Sequence, residues 1–559
     1  MATSLGTREG NSPVAKKALG ESLEKMKFED GTQIQRALAF ALKRGDTAVS
    51  IVPGNYRFKS PQALLIESAN NLSIEAQGVT FWLIPGQSAM RLKNCANIRI
   101  HGLSVDYSPL PYAQGTVIRI NRGTRNIEMK PTAGFSPISQ KWLIHPGQVK
   151  ALFYSRDWKV RNVRLDWIRS FERLDDGNYD LSFTYNRAFS PGSDVNVGDV
   201  LAMPFRGQPH CINLIHCSNI KFNGVTVFSA GQYGFAEEGG HGANQYVDCR
   251  VIRRPNAMRA LSSNADAFHS TGVEAGPKLS NCEFGNAGDD LVNIHGYYGI
   301  LLGKIGPNTI RALEIPTEAP EVGRKMEFAD SGTFQILDSA EIKKINRISV
   351  NSDPSSLRAL KGVLSHVCIK PLDKVAVLEI TLDKSVEAPI GSLISIPAEC
   401  GAGATISHCY LHSTTTRGLL IRGDRVTILG NRIADTGMEG IRMGAERYWL
   451  EAELPANVIV RENTLENCGN GPERVKAAID ISPPYGAPLA EPITAGKEIS
   501  ILNNRITDVT ARGIVVCGVD GIYISGNEIG RKPDAESSKD QEIEIFRSKR
   551  AIIESNAEK

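Results

Sequence analysis

Three aspartates carry the strongest chemical signal in the chain. Asp266 stands in Ser263-Asn-Ala-Asp-Ala-Phe-His-Ser-Thr-Gly272, and Asp289 and Asp290 stand in Gly288-Asp-Asp-Leu-Val-Asn-Ile-His-Gly296. The separations are 23 and 24 residues. Carboxyl groups brought together push their proton affinities apart, so one stays protonated near neutral pH while its neighbours stay ionised. General acid and base work needs that split. In the inverting cleavage of a glycosidic bond, an acid protonates the leaving oxygen and a base activates water, with the carboxyls roughly 6.5–9.5 Å apart. A single Asp of this kind bonds backbone amides at a corner or holds a calcium ion, whereas three sharing a small surface point to a chemical task.

A repeating scaffold must bring them together. Asn71-Leu-Ser-Ile-Glu-Ala-Gln-Gly-Val-Thr-Phe81, Asn97-Ile-Arg-Ile-His-Gly-Leu-Ser-Val105 and Asn219-Ile-Lys-Phe-Asn-Gly-Val-Thr-Val227 are one phrase used three times. A related phrase returns as Thr405-Ile-Ser-His-Cys-Tyr-Leu411, Thr427-Ile-Leu-Gly-Asn-Arg-Ile433, Ile459-Val-Arg-Glu-Asn-Thr-Leu465, Ser500-Ile-Leu-Asn-Asn-Arg-Ile506 and Tyr523-Ile-Ser-Gly-Asn-Glu-Ile529. Cys409 precedes Asn431 by 22 residues and Asn504 precedes Asn527 by 23. Short β-branched strands with polar corners at this period predict an all-β solenoid, a right-handed parallel β-helix. Equivalent side chains of successive coils then stack about 4.8 Å apart. Six cysteines each follow one polar residue (Asn94, His216, Asp248, Asn281, His408 and Asn467), which makes the pair a structural corner.

That period matches the aspartate spacing. An offset of 24 pairs Phe268 with Val292 and His269 with Asn293. Strict alternation would turn Asp266 and Asp290 inward with Phe268 and Val292, so a bend is expected between each Asp and the strand after it.

The expected organisation is an N-terminal segment (1–30), first coils with a capping helix (31–109), an inserted antiparallel β-subdomain (110–208), central coils with the aspartates (209–296), a second inserted subdomain (297–400), C-terminal coils (401–530) and a charged tail (531–559). The helix is read in Asp30-Gly-Thr-Gln-Ile-Gln-Arg-Ala-Leu-Ala-Phe-Ala-Leu-Lys-Arg-Gly45, which has a capping Asp, apolar spacing of three and four, and a terminal Gly. It would cover the unpaired edge of the first coil.

Composition excludes several classes. Hydrophobic residues make up 41% of the 559 residues, too many for a disordered chain. Lys and Arg number 64 against 61 Asp and Glu, and a net charge of +3 supplies no field for nucleic acid. No membrane span is expected, and the first thirty residues lack the apolar centre of an export signal. With Met1 as the native start a cytoplasmic location is expected, and a secreted or periplasmic one if the start is trimmed. Ten cysteines without a CxxC argue against a disulfide framework or a zinc site, so neither a cofactor nor a metal is expected.

Taken together, Ala265-Asp-Ala-Phe-His269, Asp289-Asp-Leu-Val-Asn-Ile-His-Gly296, Arg417-Gly-Leu-Leu420 and Trp449-Leu-Glu451 resemble glycoside hydrolase family 110, inverting α-galactosidases on a parallel β-helix. The resemblance covers most of residues 31–530. Polygalacturonases share the single and paired Asp, but their Gly-His-Gly and Arg-Ile-Lys phrases after the pair are missing here. The resemblance implies removal of terminal α-linked galactose, α-1,3-linked above all. It implies Asp289 as general acid, with Asp266 and Asp290 holding and deprotonating the water. It also implies His269, His295, Asn293, Arg417, Trp449 and Glu451 as groups around the sugar. Glu237 and Glu238, just before the aspartate coils, could line the cleft, as could Tyr107. Two other readings stay open: a non-catalytic carbohydrate-binding solenoid of the tailspike or adhesin kind, and a uronate lyase or epimerase. The latter wants a basic cleft, whereas the acids here would repel a uronate. Residue types leave the oligomeric state open, a homo-oligomer included.

Overall fold

In a computed structural model of the 559-residue chain, residues 26–143, 149–161, 163–313, 320–349, 376–471, 475, 477–483, 495–510, 512–532 and 542–558 are described. The protein is a parallel β-helix. One interior position runs through the coils as Ile100, Phe222, Tyr246, Leu279, Ile406, Ile428, Val460, Ile501 and Ile524, each hydrogen-bonded in parallel register to the next strand, and ends at Ile553, which is half exposed. A second face runs Phe235, Phe268, Val292, Leu419, Ile441, Ile479, Ile514 and Ile543. Because side chains alternate along each strand, both rows point inward and merge into one apolar column from Ile34 to Ile543.

The corners follow from local chemistry. Asn94, His216, Asp248, Asn281, His408 and Asn467 all take left-handed backbone angles, φ between 49° and 55°. The chain thereby turns and drops the following cysteine into the core, where Cys95, Cys217, Cys249, Cys282, Cys409 and Cys468 are buried. In the C-terminal coils Asn431, Asn463, Asn504, Asn527 and Asn556 stack, each amide donating at 2.9 Å to the Oδ1 of the next. The same oxygens accept the backbone N–H one coil earlier, so the corner's free donors are satisfied in series.

The capping helix is Thr32–Arg44, with Ile34, Leu38 and Ala41 buried against the first coil. Asp30 accepts from the Thr32 N–H at 2.9 Å, and Gly45 closes the helix in the left-handed conformation, φ 76°.

Each insertion is a closed antiparallel barrel with its own core. The first uses Ala113–Asn121, Asn126–Pro131, Lys150–Tyr154, Asp166–Arg173, Tyr179–Phe183 and Val200–Met203 around Val117, Met129, Phe153, Leu181 and Leu201. The second uses Gly299–Lys304, Thr309–Leu313, Lys325–Ala329, Ile336–Ser349, Ala376–Leu382 and Leu393–Ser395. Most of the segment 1–30 lies outside the described residues.

The charged tail expected at 531–559 is a correction. Ile543–Phe546, Lys549–Glu554 and Ala557–Glu558 add another coil to both faces. Asn556 closes the amide stack there, and Glu-Ser-Asn-Ala repeats the corner phrase. The 29 residues from Asn527 to Asn556 exceed the usual period and hide it. Among the described residues no helix is long and apolar enough to cross a membrane.

Candidate active site

The parallel register aligns the acids. Phe268 pairs with Val292 and Val292 with Leu419, and the backbone bonds run on past the strand ends. Ala267 N–H donates to Asp290 O at 3.1 Å, and Leu291 N–H to Arg417 O at 3.0 Å. Gly418 N–H donates to Glu439 O at 3.1 Å. Asp266, Asp290, Arg417 and Glu439 therefore form one row. Bends at Ala267 and Leu291 separate each Asp from its strand, so Phe268 and Val292 enter the core while the carboxyls turn elsewhere.

The charges along this row alternate except at one step. Asp290 accepts from Arg417 N–H at 3.0 Å and Arg417 Nη1 at 3.4 Å, and Arg417 Nε lies 3.4 Å from Glu439. Asp266 and Asp290 are the like-charged neighbours. Burial, and then the Asp290 charge, push the proton affinity of Asp266 well above the usual carboxylate range, against the pull of Arg206.

Asp289 points to other partners. Lys150 Nζ donates to its Oδ2 at 2.8 Å and to Gly288 O at 2.9 Å, and Arg206 contacts the same Oδ2. Both cations belong to the first insertion. Glycine is required at 288, because a Cβ there would sit 2.5 Å from Asn264 O. Asn264 in turn ties down both ends of the insertion, donating to Pro111 O at 2.8 Å and Phe205 O at 3.1 Å.

A histidine group adjoins the row. His210, Tyr233 and His269 stack with ring centroids 4.6 and 4.3 Å apart. His269 Nε2 lies 3.9 Å from Asp266 Oδ2 and 3.2 Å from His295 Nε2. His295 Nδ1 meets Gly296 O at 2.5 Å. The carbonyl can only accept, so the proton sits on His295 Nδ1, and in the neutral ring Nε2 then accepts from His269 Nε2. Burial keeps both rings well disposed to the neutral form, and the His295 ring adds to this at His269. His295 Nε2 is 3.8 Å from Glu451 Oε1, and Arg422 holds Glu451 Oε2 at 2.6 Å while reaching Asn293 Oδ1 at 3.3 Å. Burial pushes Glu451 up, but Arg422 and then His295 outweigh it and hold the carboxyl below its ordinary value. Glu238 joins through His210 at 3.3 Å.

His269, His295 and Glu451 offer three ligand atoms within 4.8 Å of one another, donors that suit a transition ion. Arg422 already compensates Glu451, however. The cations Lys150, Arg206, Arg417 and Arg422 stand against Asp289, Asp290, Glu439 and Glu451, with Asp266 favouring its protonated form.

The structure thus brings together Asp266, Asp289, Asp290, His269, His295, Asn293, Arg417 and Glu451, with Glu238 at the edge of the histidine stack. Two other residues, Glu237 and Tyr107, turn into the core, and a third, Trp449, stands at the surface two residues from Glu451. Trp449 is 48% exposed and meets Tyr448 edge-on. Glu237 points into the core, bonded to Asn244, Tyr246 and Ser270, because it lies one residue from Glu238 on an alternating strand. Tyr107 is buried, its hydroxyl donating to Gln87 O at 2.7 Å. Sequence reading missed Lys150, Arg206, His210, Tyr233, Arg422 and Glu439. A signal existed for two of them: a lysine opens the apolar run Lys150-Ala-Leu-Phe-Tyr154, and Arg422 follows Leu419-Leu-Ile421 at a buried position.

Comparison with known proteins agrees with a carbohydrate-related site. No protein-family model matches the chain. It is 23% identical to α-1,3-galactosidase B of Bacteroides thetaiotaomicron over 84% of this chain and 75% of that protein. It is 21% identical to α-1,3-galactosidase A of Shewanella woodyi over 94% and 87%. Among solved structures, a family 28 exopolygalacturonase of Yersinia enterocolitica aligns over 95% of this chain and 79% of that one, with 11% identity and a TM-score of 0.42.

Proposed function

We propose that the protein is an inverting glycoside hydrolase of the family 110 type that removes terminal α-linked galactose, α-1,3-linked above all, from oligosaccharides or glycans. The observation that carries this reading is the acid trio: two carboxyls level on successive coils, Asp266 and Asp290, and a third, Asp289, with a separate set of partners. Burial and the charge of its neighbour Asp290 raise the proton affinity of Asp266, which suits a pair that orients and deprotonates a water. Asp289 donates to the leaving oxygen, whose bond to the anomeric carbon breaks as water attacks the opposite face. His269, His295, Asn293, Arg417 and Glu451 supply donors and acceptors for ring hydroxyls. Arg206 Nε, buried and without a hydrogen-bond partner, is a further donor at the leaving-group side.

The cations among the acids bear on the uronate reading. Each is matched by a carboxylate, so the site offers little net positive charge to a uronate. A lyase would release a product with a new double bond that absorbs in the ultraviolet, and a non-catalytic solenoid would bind sugar without turnover.

The test is hydrolysis of 4-nitrophenyl α-galactoside and of α-1,3-, α-1,4- and α-1,6-linked galactobioses, followed by proton NMR. β-Galactose appears first if the reading holds. α-Galactose as first product refutes inversion, and intact substrates refute the activity.

A further inference from the structure

The first insertion is joined to the chemistry at the level of single side chains. Along Lys150–Tyr154 the residues alternate between two environments. Ala151 and Phe153 belong to the barrel's core, whereas Leu152 and Tyr154 belong to the solenoid's. Lys150 shares the solenoid face and is 2% exposed. A lysine at that position has no solvent for its ammonium group and needs acceptors in the wall it meets. Both acceptors come from the aspartate coil: Gly288 O at 2.9 Å and Asp289 Oδ2 at 2.8 Å. Arg206, just beyond the last barrel strand, contacts the same oxygen.

Resting on the reading above, we infer that Lys150 is a positioning residue for the acid: its ammonium group, held by Gly288 O and Asp289 Oδ2, faces the carboxylate that Asp289 becomes. When Asp289 donates, its O–H bond breaks and a new O–H bond forms on the glycosidic oxygen, which keeps the electron pair of the cleaved bond to the anomeric carbon. The negative charge then left on Asp289 lies against Lys150 and Arg206. Burial and then Arg206 press the proton affinity of Lys150 well below lysine's ordinary value, against Asp290 and Asp266, so its ammonium form depends on the acids around it. The inserted barrel is thereby part of the active machinery and sets the strength of the acid.

The test compares K150M, K150R and R206M in the full chain, on α-1,3-galactobiose and on 4-nitrophenyl α-galactoside, whose leaving group needs little protonation. In K150M the alkaline limb of kcat/KM, which reports the acid of the free enzyme, moves upward by about one pH unit as the neighbouring cation is lost. Turnover of the disaccharide falls about tenfold to a hundredfold, and that of the aryl substrate less than about threefold. K150R restores part of the pH limb, and R206M moves it in the same direction as K150M. A folded K150M whose pH limb and ratio of the two turnovers match the wild type overturns the inference. If K150M does not fold by circular dichroism, the limb in R206M and K150R decides in the same way. D289N separates the two levels: if it keeps disaccharide turnover, the acid assignment itself fails. If it is inactive while the Lys150 variants are unshifted, only the role of Lys150 fails.

Discussion

Two of the rows of stacked polar side chains in this solenoid behave in opposite ways. In the C-terminal coils five asparagines repeat, and each amide is both donor and acceptor, so identical residues satisfy one another at 2.9 Å. In the central coils Asp266 and Asp290 repeat, and identical residues repel, with burial and the Asp290 charge raising the proton affinity of Asp266. The scaffold imposes the same stacking on both. A neutral amide turns it into order, and a carboxylate turns it into stored electrostatic tension that a water or a sugar can draw on.

The comparison can be broken from either side. The largest effect is expected at the acids: Asp289→Asn or Asp266→Asn lowers kcat on a galactobiose by about 10²–10⁴, with the circular dichroism spectrum retained. Breaking the amide row does the reverse. Asn463→Ala leaves the Asn431 donors without their acceptor and costs about 1–3 kcal/mol for each buried group unpaired, read by urea denaturation, while kcat is unchanged. The third expectation concerns stability and pH. The folded-state affinity of Asp266 is raised, so its contribution is present at low pH and is lost as pH rises through the folded value. Asp266→Asn therefore raises the thermal midpoint more at pH 8 than at pH 4, whereas Asn463→Ala lowers it at both. Fourth, the base must be ionised, so the acidic limb of kcat/KM lies above the ordinary aspartate range. Asp290→Asn, which removes the second cause of that shift, moves the limb to lower pH in the residual activity. The smallest effect is expected at Trp449: with 48% of the residue exposed, Trp449→Ala changes kcat by less than about threefold and acts, if anywhere, on KM.

Much of this was legible in the residues. The period in the corner phrases fixed the offset of 24 that pairs Phe268 with Val292, and with it the level of Asp266 and Asp290. The bend before each strand followed from one contradiction, an Asp and a Phe on the same face. What escaped was contact between elements distant in the chain. Lys150 lies 139 residues before Asp289, on a strand whose alternation puts Ala151 and Phe153 in the barrel's core and Lys150, Leu152 and Tyr154 against the solenoid, a wall the barrel's own sequence does not reveal. Glu237 and Glu238 differ by one position, and strand parity decides that one is core and the other not; the sequence around them does not declare which.

Asn264 bonds the carbonyls at both ends of the first insertion and stands two residues before Asp266. Its amide, with Gln208 on Pro111 O and with Tyr112 and Gln114 on residues 258–261, therefore fastens the barrel at its neck, beside the chemistry. Heat that frays this neck withdraws Lys150 and Arg206 while the solenoid is still wound. The protein should accordingly fall silent before it melts, with inactivation preceding the loss of its β-sheet signal in a temperature ramp, and Asn264→Ala should widen the gap.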